Sequence, residues 1–401
     1  MMNRYQKEVE QICANELWKL RMINAILQKQ NEKKKKPMLA YAVAFCIICI
    51  LGAGVLRWVP EKKQLVHYVD SLPVLSLQKP APRAGSVGCR YCIGFETFFA
   101  QDKKELQHLS FYDFSKPLDT LPVIKNKNVF DGDSGCFQKS MTKEEQEQKL
   151  KNYADILGME NYEIMTSTKK EEESELRNED ISITLENGGE TVFVWYEFPN
   201  IEEHSVLLAD KNWSIKKIKE TVRNYCLDNK ELFQIEDPLV DVIVDYGISQ
   251  NNKVEKGYSI EVYETEKDPV DKFVSQLQSV SLYTDEDGYL YGYRINQKDT
   301  STSIGNYPIK SLEEAKAELH SGKYRSDIGS MPGITIYLDE IAYSELVYLD
   351  DESLDYFLPY YKFYVPVEYK DDYFTKHHIP LKRYGTFYVP AIESKYLKES
   401  K

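Results

Sequence analysis

The residues in this chain whose types and spacing bear on chemistry are few and scattered. Cys89-Arg-Tyr-Cys92 is a CxxC. A redox pair of that spacing sits where a strand runs into a helix, whose N-terminus lowers the pKa of the first thiol. Here the run Pro80 to Gly88 comes immediately before it, rich in proline and glycine, so that context is absent. Zinc would need two further close ligands, and Cys136 and Cys226 stand alone without neighbouring histidines. Cys89, Cys92, Cys136 and Cys226 thus leave two readings open, structural disulfides or free thiols, with three connectivities if all four pair. His377-His378 is the only histidine pair, and adjacent side chains diverge, so it reads as a surface turn. Adjacent carboxylates recur, as in Asp371-Asp372 and Asp350-Asp351-Glu352, and that abundance makes none of them diagnostic of acid–base work.

Gly132-Asp133-Ser134-Gly135 resembles the nucleophile loop of chymotrypsin-like serine proteases, but Cys136 and Phe137 follow where that family continues with glycine and proline. The chemistry also needs a histidine base, and His67 and His108 lie too close in sequence for two barrels to fold between them and the serine. The loop therefore reads as a Gly/Asp turn. Asp131, Asp133 and Gly135 fall short of an EF-hand, because the position for its bidentate glutamate holds Thr142. Asp285, Asp287 and Gly288 fail in the same way at Asn296. No glycine-rich phosphate loop is present, and no cofactor or metal is expected.

The elements that would position any site are easier to read. Met38 to Leu56 is a run of 19 residues without a charge. A helix needs roughly 20 apolar residues to cross the hydrocarbon core. Lys33 to Lys36 precede the run and Trp58 follows it, as a cationic anchor and an interfacial aromatic would. Residues 1–36 carry a net charge of +5 and residues 58–401 a net charge of −19. The basic side stays in the cytoplasm, so the expectation is a single-pass protein of the cell membrane with its large acidic part outside. That acidity argues against nucleic acid as a partner, since phosphate is repelled.

Residues 1–37 read as a cytoplasmic amphipathic helix. Tyr5, Val9, Ile12, Cys13, Leu17, Leu20, Ile23 and Leu27 recur largely at spacings of three and four, and Trp18 widens the stripe. Such a helix cannot bury its stripe against itself. It needs a partner, and a docked protein, membrane lipid or a second copy are the choices. Residues 38–58 are the membrane helix and 59–88 a proline-rich stalk, with Leu65 to Tyr68 and Pro73 to Leu77 as candidate short strands.

From Cys89 the pattern is α+β. Thr142-Lys-Glu-Glu145 is a capping box opening a helix that Gly158 closes. Ile181 to Glu186 and Thr191 to Phe198 alternate about Asn187-Gly188-Gly189, a hairpin. Ser214 starts a second helix. Strands are expected around Val242–Tyr246, Tyr258–Thr265, Val280–Thr284 and Tyr289–Ile295, with a turn at Asp287-Gly288. Ser311-Leu-Glu-Glu314 is a second capping box. Helix on antiparallel hairpin, twice, predicts an ectodomain of about two antiparallel-sheet-plus-helix modules, 89–240 and 241–401.

Tyr307-Pro308-Ile309, then Ser311, Ala315, Leu319, Gly322 and Tyr324, lead into Ile334 to Leu338 and the aromatic strand Pro359 to Pro366. This segment, roughly 300–390, resembles the C-terminal module of the YycH/YycI group, single-pass extracytoplasmic regulators of a bacterial sensor kinase. It is also similar to PepSY-type modules. The resemblance implies a bacterial surface protein that works by binding. The 37 residues before the membrane run depart from that group, which has little there. The expected function is regulatory or sensory and non-enzymatic, with the cytoplasmic helix docking a protein. The alternatives are a surface-anchored cell-wall hydrolase, or a module binding a peptide or glycan on its tyrosine-rich strands.

Overall fold

Local chemistry sets the helix starts. Thr142 Oγ1 accepts from the Glu145 amide at 3.2 Å and Glu145 Oε2 accepts from the Thr142 amide at 2.8 Å. Ser311 and Glu314 repeat this exchange. Gly158 ends the first helix in the left-handed region, at φ 65°. Replacing Thr142 by alanine removes one side of the first box, and a loss of about 1 kcal/mol in urea unfolding is expected.

The computed structural model describes residues 72–77, 97–107, 110–131, 136–137, 141–166, 174–197, 206–248, 254–326, 328, 334–349, 353–369, 377 and 379–399. The amphipathic segment with Val9, Ile12, Trp18, Leu20, Ile23 and Leu27, the apolar run, Cys89, Cys92 and the Gly132–Gly135 loop lie outside them. Among the described residues no helix is long and apolar enough to cross a membrane.

Along the chain come β1 (Leu75–Leu77), β2 (Thr97–Ala100), a 3-10 turn (Lys103–Leu106), β3 (Thr120–Lys125), β4 (Phe130–Asp131) and β5 (Cys136–Phe137). Helix α1 (Lys143–Leu157) precedes β6 (Glu163–Thr166), β7 (Ser174–Arg177), β8 (Ile181–Glu186) and β9 (Thr191–Tyr196). Next are α2 (Ile215–Asp228), α3 (Lys230–Phe233), β10 (Pro238–Ile248), β11 (Val254–Glu264), α4 (Pro269–Ser275), β12 (Gln278–Thr284) and β13 (Leu290–Gln297). The remainder is β14 (Ser303–Pro308), α5 (Leu312–His320), β15 (Arg325–Ser326), β16 (Ile334–Ile336) and β17 (Tyr343–Tyr348). It ends with β18 (Tyr356–Phe357), β19 (Pro359–Tyr369), β20 (Lys382–Pro390) and β21 (Leu397–Glu399). The described part is therefore mixed α+β, with few helices and mostly antiparallel sheets.

Eight strands form one antiparallel sheet in the order β10-β11-β12-β13-β9-β8-β7-β6. Its inward face carries Val192, Val194, Ile260, Val262, Tyr293 and Ile295, buried against α1, α2 and α3. This sheet runs across the expected module boundary at 240/241. Strand β13 pairs with β9, register Arg294 to Phe193, so the two halves share one sheet and one core. Each half presents an edge that the other satisfies, and local pattern says nothing about which edges meet.

The rest of the chain builds a second core. Strand β19 pairs with β20, and β16 and β17 both pair with β19. Helix α5 packs on β20, and Phe363, Val365, Phe387, Val389, Ala315 and Leu319 are buried together. Helix α4 leaves the eight-stranded sheet to join this core. Its Phe273 meets Tyr348 at 4.7 Å, and Gln276 Oε1 accepts from the Tyr348 amide at 2.7 Å. The strand expected near Pro73–Leu77 is β1, and it pairs in parallel with β21. The Tyr307 hydroxyl also donates to the Pro73 carbonyl at 3.0 Å.

Candidate binding face

Period-2 alternation gives the eight-stranded sheet a second face, directed away from the helices. Register aligns this face into rows. Asp241 lies opposite Glu261, Glu261 opposite Ser281, Ser281 opposite Arg294, and Arg294 opposite Phe193. In the adjoining row Tyr283 lies opposite Gly292, Gly292 opposite Trp195, and Trp195 opposite Ser182. A bulge re-aims one more aromatic: Thr284 pairs with Leu290 and Tyr283 with Gly292, which leaves Tyr291 as the extra residue.

Gly292 makes room for the row. A Cβ there would lie 2.6 Å from Trp195 Cε3 and 2.8 Å from the Val194 carbonyl oxygen, so the indole lies over the glycine backbone. Around it the rings are close and nearly parallel. Trp195 is 5.8 Å from Phe193, 5.4 Å from Tyr283 and 5.5 Å from Tyr291, with interplanar angles of 21°, 19° and 16°. Phe193 and Tyr283 are 6.2 Å apart at 7°, and Tyr283 and Tyr291 are 6.4 Å apart. With near-parallel planes and centroids 5.4–5.8 Å apart, Phe193, Tyr283 and Tyr291 each make an offset stack with Trp195. Trp195, Tyr283 and Tyr291 are half-buried, while Phe193 is buried with the Arg294 guanidinium 5.6 Å over its ring.

At one end of the rows stand Asp241 and Glu261. Burial pushes the Glu261 carboxyl up to about 7, opposed by hydrogen bonds from Ser281 and Ser279 and by the Arg294 charge, while Asp241 adds to the rise. Asp241 is buried. Its Oδ1 accepts from the Val242 amide at 3.0 Å and lies 3.7 Å from Lys219 Nζ. Tyr263, beside them, is held well above its usual range by burial, with the charges of Glu261, Asp241 and Glu345 adding. A raised carboxyl next to another carboxylate is the signature of acid–base chemistry. Here both sit between the sheet and the second core, tied by serines and cations, which describes a packed ion cluster.

A groove of about 680 Å³ lies between α2 and β10, lined by Ile215, Lys219, Arg223, Pro238, Leu239 and Val240. Its cations are committed internally, Arg223 to Asp237 and Lys219 to Asp241. Strand β10 is the end strand of the sheet, and its edge is blunted. Pro238 has no amide proton, and the amides of Val242 and Tyr246 donate to the neighbouring Asp241 and Asp245 carboxylates.

Of the residues singled out in sequence, Cys226 takes the free-thiol alternative. It is buried on α2, and burial pushes its pKa up to about 12, so it packs as an apolar residue. Cys136 is in β5, opposite Asp131 of β4. His377 is exposed. No group of three His, Cys, Asp or Glu side chains is placed to hold a metal ion among the described residues. The aromatic cluster was not singled out in sequence, although Phe193 and Trp195 stand two apart in a strand that was; Tyr291 reaches the same face only through the bulge, while Tyr293 is buried on the opposite one.

No protein-family model matches the chain, and it has no significant match among curated proteins.

Proposed function

We propose that this chain is a single-pass, membrane-anchored extracytoplasmic protein with a regulatory or sensory role, exerted by binding and not by catalysis. The observation that carries this reading is the aromatic cluster on the outer face of the sheet. Three of its four rings, Trp195, Tyr283 and Tyr291, are contiguous and part-exposed on the side away from the core, and a contiguous apolar patch marks a contact surface. In this reading Met38 to Leu56 spans the membrane, and residues 59–88 and the modules that follow them lie outside. The clasp of β1 with β21 ties Leu75–Leu77, within the 59–88 segment, to the C-terminal strand. Inside, the stripe of Val9, Ile12, Trp18, Leu20, Ile23 and Leu27 docks a protein partner, with lipid beside it. The resemblance of residues 300–390 to extracytoplasmic regulators of a sensor kinase accords with this arrangement.

Two measurements test it. Protease added to intact cells is expected to digest the acidic part and spare a tag on residues 1–36; a protected acidic part overturns the orientation. A photo-crosslinker at position 18 is expected to capture one specific protein, and labelling of lipid alone removes the docking claim.

A further inference from the structure

We propose that the aromatic face of the eight-stranded sheet docks a basic peptide segment of a partner protein, whose arginine or lysine side chains lie over the Trp195, Tyr283 and Tyr291 rings. The inference rests on the binding role proposed above and names the chemistry of the partner. The face already holds one cation on an aromatic ring: the Arg294 guanidinium lies 5.6 Å from the Phe193 ring centroid. Trp195, stacked on Phe193, and Tyr283 and Tyr291, stacked on Trp195, are part-exposed.

The charges around the face complement a cation. Glu255 and Asp245 lie on the same face toward β10, and Glu163 and Glu175 toward β6. Opposed to them on these flanks stands Arg177. At the turn after β12, Glu286 lies against Glu255, and the charge of Asp285 is felt by Tyr291. Part-exposed aromatic rings between carboxylate flanks suit an organic cation, which gains from the rings and from the flanks together. A phosphate polymer is repelled by the same flanks. A neutral glycan would stack on the rings and gain nothing from the carboxylates.

The test uses the full chain in detergent micelles, titrated with a labelled oligo-arginine peptide, with oligo-glutamate and cellohexaose as comparison probes. Oligo-arginine is expected to bind and oligo-glutamate to fail. Trp195→Ala should weaken binding about tenfold. Tyr291→Ala, at the bulge and outside the core, should weaken it several-fold and guards against a folding defect in the first variant. Glu255→Gln with Glu286→Gln should also weaken it, whereas Glu231→Gln, on the helix side of the sheet, should not. Equal affinity in Trp195→Ala, Tyr291→Ala and the parent would mean general attraction to an acidic protein, and the proposal would fall. Cellohexaose binding that depends on Trp195, without oligo-arginine binding, overturns the cationic partner and leaves the face as a binding site. Binding of neither probe overturns both readings.

Discussion

Gly288→Ala is expected to destabilise the protein by about 3 kcal/mol or more. Gly288 sits at φ +93°, and a Cβ there would lie 2.4 Å from the carbonyl carbon and oxygen of Ala209 and 2.7 Å from the Asp210 nitrogen. These are backbone atoms and cannot swing aside. The strap they belong to is itself fixed to the turn: the amides of Leu208 and Ala209 donate to the Gly288 carbonyl at 2.9 and 3.1 Å, and the Leu290 amide donates to Val206. Leu208 and Ala209 close one end of the first core, so displacing the strap opens it. Gly158 is the control, at φ +65° with nothing within 4 Å of a Cβ, and its alanine variant should lose about 1 kcal/mol from conformation alone. Urea unfolding of the two side by side separates the clash from the strain. Equal losses would show that the strap yields.

The second large effect is a pH dependence. Burial raises Glu261 from an ordinary 4.5 to about 7. Between those values the folded state holds a proton that the unfolded chain gives up, so stability from this group falls as pH rises and levels off above 7. One group shifted that far accounts for at most about 3 kcal/mol. Glu261→Gln keeps the shape and removes the ionisation. Relative to the parent it should be little changed near pH 4.5 and more stable by up to about 3 kcal/mol at pH 8. Other carboxylates contribute slopes of either sign in both proteins, so the difference between their unfolding curves isolates Glu261. A difference that does not vary with pH would show that the carboxyl ionises in the fold as freely as in water.

What could be read beforehand was local. Both capping boxes, the left-handed stop at Gly158 and the Asn187-Gly188-Gly189 turn depend on residues within a few positions of one another, and all are present. The strands from β8 to β13 announced themselves through alternation. The pairing of β13 with β9 did not, because it joins segments separated by three helices and three strands. Strand β3 was missed for a specific reason. Pro122 lies within it, between β14 and β18, where a proline ordinarily argues against a strand with neighbours on both sides. The aromatic face fell between these cases. Phe193 and Trp195 were on a strand already read, but their companions Tyr283 and Tyr291 arrive through register and a bulge.

The parallel pairing of β1 with β21 has a consequence in time. Leu75 lies opposite Leu397, more than 300 residues further along the chain. During synthesis the eight-stranded sheet has all its strands once Gln297 has emerged, while β1 has no partner until residues 397–399 follow. Leu72, Leu75 and Leu77, which pack against Tyr307, Tyr360 and Ile392 in the finished fold, therefore wait uncovered through most of translation. Closure of this strand is thus a late step in assembly. A nascent chain halted before residue 397 should leave β1 open to protease while the eight-stranded sheet is already protected.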